Sequence, residues 1–213
     1  MSEFQEFPKM ARLSREMIVT EKIDGTNAQV FIAGLGTSFP PAFVIAEGAC
    51  DGNPAVMLAG SRSRYLTPEN DNFGFAAWVR DHAQELFGLG VGRHFGEWWG
   101  SGIQRNYGQK RKRWSLFNVS RWCLRGQEPQ RIPSADPRVE KYQEVLPECC
   151  DLVPVLHRGV FSTLQCELAL DELRMGGSKA APGFMNPEGI VVFHVAGNVG
   201  FKKTLGNDGA KSV

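Results

Sequence analysis

Between residues 17 and 33 an apolar run, MIVT followed later by AQVFIA, is interrupted by EKIDGTN. The alternation on either side predicts two strands broken at residues 24–27, a turn-forming set. AFVIAEG (42–48) and AVMLAGSR (55–62) read as two more strands flanking the CDGNP break. Over residues 71–88 the period lengthens: Phe75, Val79, His82 or Ala83, and Leu86 share one face, with Asp71 as N-cap and Gly88 closing the helix. RHFGEWWG (93–100) and RWSLFNVSRW (113–122) predict aromatic-rich strands, joined by the polar, basic loop SGIQRNYGQKRK. DPRVEKYQEVLPE (136–148) predicts a helix entered through Pro137. FSTLQCELALDELRMGG (161–177) predicts another, with Ser162 and Gln165 as a capping box and Gly176 and Gly177 as its stop. After the Gly/Pro-rich loop 178–187, residues 188–205 read as a hairpin turning at Gly197 and Asn198. Strands with inserted helices, rather than alternating βαβ units, predict an α+β fold of mostly antiparallel sheets with flanking helices. No repeat or linker divides the chain, so residues 1–213 read as a single domain.

Composition adds exclusions. The 213 residues are enough to bury a substantial core, and a net charge of +1 gives no global field for nucleic acid or membrane. No run of 18 apolar residues is long enough to span a bilayer, and the N-terminus lacks a secretory h-region. Five cysteines without a C-x-x-C pair, and four scattered histidines, point away from zinc and towards reduced thiols in a cytoplasm.

Polar residues recur where strands are expected to bury apolar ones: Lys22 and Asp24, Arg62 and Arg64, Glu97, Asn118, Glu188, and Lys202 with Lys203. Taken singly, each is a solvent-facing strand or loop residue. Their order says more. EKIDGTN, GSRSRYLT, FGEWWG, SLFNV, PEGIVVF and FKKTL resemble motifs I, Ia, III, IIIa, IV and V of the covalent nucleotidyltransferases, the ATP-dependent ligases and mRNA capping enzymes. The chain is most similar to the RNA ligase branch, that of phage RNA ligase of the second type and the kinetoplastid editing ligases, over roughly residues 17–205.

The resemblance implies the ligase/capping-enzyme nucleotidyltransferase fold (ATP-grasp-like) and an ATP-dependent RNA ligase. Such an enzyme forms lysyl-AMP, passes AMP to a 5′-phosphate and seals it to a 3′-hydroxyl, in the setting of RNA repair. Lys22 matches the nucleophile. Attack needs a neutral amine, and an ordinary lysine at about 10.4 is almost wholly protonated at neutral pH. Burial among apolar flanks and a second cation, Lys202 or a divalent metal, favour the neutral form. By the same resemblance Glu21 lies beside the adenine, with Ile23 also at the nucleotide, and Glu97 accepts from the ribose hydroxyl. Phe117 stacks on the purine, Lys202 contacts the α-phosphate, and Arg62 engages ribose or the nucleic-acid end. Glu188, with Asn27 at the water shell, would hold Mg²⁺ or Mn²⁺.

Two departures stand out. Asp24 occupies a position where the phage RNA ligase has histidine and most of the superfamily has aspartate, which leaves it a part in nick sealing or metal binding. Motif V reads Lys-Lys-Thr rather than Lys-x-Lys, so strand alternation puts Lys202 and Thr204 on one face and Lys203 on the other. The sequence runs about ten residues past this motif, which implies a bare nucleotidyltransferase domain without an OB-fold or helical domain, and a separate partner chain for end binding. RNA ends or nicks are the implied partner. In the stretch 104–125, Arg105, Lys110 and Arg113, with Tyr107, Trp114 and Trp122 interleaved, suit phosphate contact and base stacking. Two alternatives remain: AMP transfer without sealing, to RNA, protein or a small molecule, and a non-catalytic nucleotide- or RNA-binding module. The intact Lys22, Glu97, Glu188 and Lys202 weigh against the second.

Overall fold

The computed structural model describes residues 4–7, 9–34, 36–37, 39–132 and 138–206. The chain forms two compact units, Met1–Lys22 with Pro154–Val213 and Ile23–Val153. It makes β1 (Glu16–Lys22) in the first unit and crosses into the second directly after Lys22. There it forms β2 (Thr26–Gly34), β3 (Ala46–Cys50), β4 (Asn53–Ser61), β5 (Tyr65–Leu66), α1 (Phe75–Asp81), α2 (Ala83–Leu86), β6 (Gly92–Gly100) and β7 (Lys112–Leu116). Short strands follow: β8 (Trp122–Cys123), β9 (Arg131–Ile132), β10 (Lys141–Tyr142), β11 (Glu144–Val145) and β12 (Asp151–Leu152). Back in the first unit come β13 (Val155–Val160), α3 (Thr163–Gly176), β14 (Gly189–His194) and β15 (Val199–Thr204). The α+β class and the predominance of antiparallel pairing are as the sequence pattern predicts.

The first unit is a four-stranded antiparallel sheet in the order β13-β1-β14-β15. Met17 and Val19 of β1, with Ile190 and Val192 of β14, pack against Ala169, Leu170 and Leu173 of α3. That helix begins where the capping pattern puts it: the Ser162 hydroxyl accepts from the Gln165 N–H. It ends at Gly177, whose positive φ of 75° suits glycine.

The second unit is built on a seven-stranded sheet in the order β12-β7-β6-β2-β4-β3, with β5 pairing to β4. Ala28, Val30 and Ile32 of β2, Met57 and Ala59 of β4, Trp98 of β6 and Trp114 of β7 form its core with Phe75, Val79 and Leu86 from α1 and α2. A wholly buried side chain of this size stabilises by about 1.5–3 kcal/mol, against about 0–1 kcal/mol for an exposed ion pair. The apolar cores therefore hold sheets to helices.

Four expectations need correction. The strand expected at 42–48 begins only at Ala46, because Pro41–Phe43 form a 3-10 turn. Residues 138–148 are not helical: β10 pairs with β9 and β11 runs parallel to β8. Val139, Tyr142 and Val145 stay exposed and only Leu146 is buried, so this stretch has no apolar face with which to hold a helix; Pro137 lies outside the described residues. The 71–88 helix breaks at His82 (φ −111°), whose ring bonds the Trp78 carbonyl, and Gly88 falls in a 3-10 turn. Its N-cap is Gly74 rather than Asp71, which lies three residues upstream and still accepts from the Ala76 and Ala77 N–H groups of the first turn. The predicted strand 113–122 stops at Leu116, because Asn118 folds the chain into a turn by accepting from the Arg121 N–H.

Candidate active site

Lys22 is the last residue of β1, in register with Gly189, the first of β14. Gly189 belongs there: a Cβ would lie 2.2 Å from the Lys203 carbonyl oxygen. Glu188, immediately before it, reaches the Lys22 amine and forms an ion pair with it. Both side chains are largely covered, at 24% and 17% exposure. An amine that is to attack must give up both a proton and this carboxylate.

Sheet parity sorts the rest of the first unit. Lys22, Gly189 and Thr204 form one cross-strand row, and Thr20, Val191 and Lys202 the next row on the same face. Lys202 thus shares the face of Lys22 and is exposed. Lys203 is on the opposite face, where it pairs with Glu167 of α3, as the Lys-Lys-Thr alternation predicts.

Glu21 also faces away from Lys22. It is 1% exposed, and both its oxygens are engaged: Oε1 accepts from the Ser178 hydroxyl at 2.6 Å, Oε2 from the Lys179 and Ala180 N–H groups at 2.7 and 2.9 Å. The arrangement is that of a carboxylate fastening the loop after α3, not one presented to a base. Burial pushes the Glu21 carboxyl up from its ordinary value, against the hydrogen bonds that favour the ionised form.

In the second unit the residues following Lys22 form a network around Glu97, which is buried on β6. Its Oε1 accepts from the Gly25 N–H and its Oε2 from the Asn27 amide, both at 3.0 Å. Asn27 Oδ1 in turn accepts from the Arg62 guanidinium, with Nε at 2.8 Å. Gly25 makes this approach possible, since a Cβ there would sit 2.4 Å from the Trp98 carbonyl oxygen. Asp24 accepts from Arg105 Nε at 2.8 Å, while its own N–H donates to the Tyr107 hydroxyl at 2.8 Å. Tyr107, expected to stack on a base, instead shapes the site from a turn in which its φ is positive; the Asn and Gly on either side of it are the sequence signal of that turn. Ile23 is buried, and Phe117, just past the end of β7, is 41% exposed.

The basic stretch is largely committed within the fold. Arg113 forms a bidentate pair with Asp151, which raises its pKa. Arg121 binds Glu144, and Lys112 donates to the Phe73 carbonyl. Tyr107, Trp114 and Trp122 are core residues, each at most 1% exposed, so they offer no stacking surface. The reason is parity: Trp114 pairs with Trp98 and both point into the core. Lys110 and Arg111 are exposed.

No cluster of three or more His, Cys, Asp or Glu suited to a metal occurs among the described residues. Glu188 supplies a hard, largely covered carboxylate, and the Asn27 oxygen is already engaged by Arg62. Such a donor set fits a Mg²⁺-like ion shared with substrate phosphates, and not an all-protein cage.

The RNA ligase family model matches residues 15–204, and the chain belongs to that family. Among solved structures it is similar to a lysine-to-alanine mutant of Naegleria gruberi RNA ligase with ATP and Mn, at 20% identity and a TM-score of 0.47 over 90% of this chain and 50% of that one. A lysine-to-methionine mutant of the same ligase with AMP and Mn matches at 19% identity and a TM-score of 0.44, over 90% and 50%. The chain thus spans about half the length of these structures. No curated protein matches it significantly.

Proposed function

We propose that the chain carries out ATP-dependent nucleotidyl transfer of the RNA ligase type, with Lys22 as the nucleophile. The Lys22 nitrogen attacks the α-phosphorus of ATP; a phosphoramidate N–P bond forms, the bond to the bridging oxygen breaks, pyrophosphate leaves, and the amine proton passes to solvent. AMP then moves to the 5′-phosphate of an RNA strand, forming a 5′–5′ anhydride. A 3′-hydroxyl attacks that phosphate and releases AMP.

The observation that carries this reading is the Lys22–Glu188 pair at the ends of β1 and β14, within the span matched by the family. Lys202, on the same face, is the cation for the α-phosphate, acting as a point charge. Glu97, held by Gly25 and Asn27, accepts from the ribose hydroxyl, and exposed Phe117 stacks on the adenine. Arg62 reaches ribose or the strand end. Asp24, anchored by Arg105 and Tyr107, orients the segment that follows the nucleophile. Glu21 fixes the 178–181 loop instead of reading the base. Glu188 would hold a Mg²⁺ or Mn²⁺ ion, in keeping with the Mn in the Naegleria ligase structures. When bound, that ion supplies neutralisation of charge developing on the phosphates. Drawing Glu188 towards a cation also frees the amine.

Incubation with α-labelled ATP and Mg²⁺ tests the reading. We expect acid-stable label on the protein that is lost in Lys22→Ala with an unchanged melting profile; label persisting in that variant overturns the assignment of the nucleophile. Chasing the label into 5′-phosphorylated nicked or single-stranded RNA separates sealing from AMP transfer alone. No helix among the described residues is long and apolar enough to cross a membrane.

A further inference from the structure

The face of the seven-stranded sheet that turns away from its core carries more than the Glu97 network. Leu116 pairs with Gly96, and the Phe117 N–H donates to the Phe95 carbonyl at 3.0 Å, so Phe117 and Phe95 are cross-strand neighbours. Phe95 is in register with Gln29, Gln29 with Gly60, and Gly60 with Tyr65. One row therefore runs Phe117, Phe95, Gln29, Gly60, Tyr65 across five strands. Directly opposite residues share a face. This row is two residues along β6 from Glu97, or roughly 7 Å at 3.4 Å per residue.

Phe95 is 50% exposed, although its neighbours Gly96 and His94 are buried. With its neighbour Phe117, 41% exposed, it makes a contiguous aromatic patch, and an exposed apolar patch rimmed by polar groups marks an interaction site. Next to it, Gly60 keeps the surface low, because a Cβ there would meet the Gln29 side chain at 2.9 Å. Arg93, exposed in the adjacent row, lies 3.9 Å over the Phe31 ring and donates to Gln29 Oε1 at 3.1 Å and to the Tyr65 hydroxyl at 3.3 Å. Its guanidinium is thus fixed in place instead of waving in solvent. Arg62 and Arg64 are exposed on the turn after β4.

A flat aromatic ring flanked by anchored guanidinium groups is the chemistry of a single-stranded nucleic acid: a base on the ring, phosphates on the cations. We propose that Phe95, with Arg93 beside it, is a second nucleobase shelf, next to the one assigned to AMP at Phe117, and that it takes a base of the single-stranded RNA substrate. The proposal rests on the RNA ligase reading for the identity of the strand. An apolar peptide would find the aromatic ring but no use for three exposed arginines.

Fluorescence anisotropy with a labelled single-stranded oligoribonucleotide, and with an abasic strand of the same length, tests it in the full chain. Phe95→Ala is expected to raise the Kd for RNA roughly five- to 150-fold, the range of one lost base stack. It should leave the Kd for the abasic strand and the formation of lysyl-AMP unchanged, while Phe95→Tyr binds as the original does. An unchanged RNA affinity in Phe95→Ala overturns the shelf. Equal weakening for RNA and abasic strand overturns stacking as its basis, and a parallel loss of AMP loading reassigns Phe95 to the adenine of ATP and likewise overturns it. If the unsubstituted protein takes no label yet Phe95→Ala still weakens RNA binding selectively, the ligase reading fails and the shelf stands.

Discussion

Two site carboxylates, Glu188 in the first unit and Glu97 in the second, are held in different ways. In the first, Glu188 is matched by a single charge, Lys22. In the second, the Glu97 carboxylate is fixed by a backbone N–H and an amide, and Asn27 passes the network on to Arg62. An ion pair can be exchanged, since a metal or a phosphate can replace either partner at little electrostatic cost. A network of neutral donors around a buried carboxylate cannot be rearranged without leaving a donor or acceptor unpaired, at about 1–3 kcal/mol for each. The first arrangement suits groups that change partners during a reaction, and the second suits groups that must stay still to recognise a ligand.

That contrast gives the largest expected effects. At saturating ATP, Glu188→Gln and Lys202→Ala should slow label formation about 10²–10³-fold, the scale of removing one group that stabilises developing charge. Glu97→Gln and Phe117→Ala should instead raise the ATP concentration at half-maximal rate, roughly tenfold, with a smaller change in the saturated rate. Single-turnover label formation against ATP concentration distinguishes the two. A Glu97→Gln variant that loses saturated rate at unchanged half-saturation would remove the division of labour between the units.

Next in size are two glycines, one in each unit, that stand at close backbone approaches. Gly189→Ala drives a Cβ towards the Lys203 carbonyl, and Gly25→Ala towards the Trp98 carbonyl, with contacts of 2.2 and 2.4 Å before relaxation. Each is expected to cost about 1–3 kcal/mol in stability, read by urea unfolding. Hydrogen exchange should put the loss around β14 and β15 for the first and around β2 and β6 for the second. Loss in the opposite unit in either variant would show the two to be coupled. Lys203→Ala, by contrast, removes an exposed pair with Glu167 and should cost about 0–1 kcal/mol, with label formation unaltered; a large loss of label would return Lys203 to the phosphate site.

Much of this was legible in the sequence, and the physics explains which part. Strand parity is strictly local, so the opposite facing of Lys202 and Lys203 could be read from FKKTL alone. Lys22, Glu97 and Glu188 were singled out by the order of motifs that resemble those of the nucleotidyltransferases, not by their local chemistry. Burial was not local. Trp114 and Trp122 read as stacking residues because nothing in RWSLFNVSRW says which side of the sheet is covered, and Glu21 read as a base contact because its partners Ser178, Lys179 and Ala180 are more than 150 residues away. The helix expected at 136–148 failed for a similar reason: residues 141–142 and 144–145 pair with strands that the local pattern does not announce.

The smallest predicted effect separates the units by sign. Each contains a buried titratable group outside the reactive pair whose proton affinity is shifted by burial. In the first, burial raises the Glu21 carboxyl above its ordinary 4.5. In the second, burial lowers His94 below its ordinary 6.5, with Arg121 adding to the shift and the bond to the Gly90 carbonyl opposing it. For Glu21 the folded state binds the proton more tightly than the unfolded state, so its contribution is full below about pH 4.5 and declines as pH rises through the raised value. For His94 the unfolded state binds the proton more tightly, so its contribution is full above about pH 6.5 and declines as pH falls towards the lowered value. Neither slope can exceed about 1.4 kcal/mol per pH unit. Urea unfolding from pH 4 to pH 8 should therefore show the difference between the original protein and Glu21→Gln falling with pH in the lower part of the range. The difference from His94→Gln should rise with pH over the window just below 6.5. If both differences run flat, neither buried group changes its proton affinity on folding, and the units are not distinguished by their buried charge.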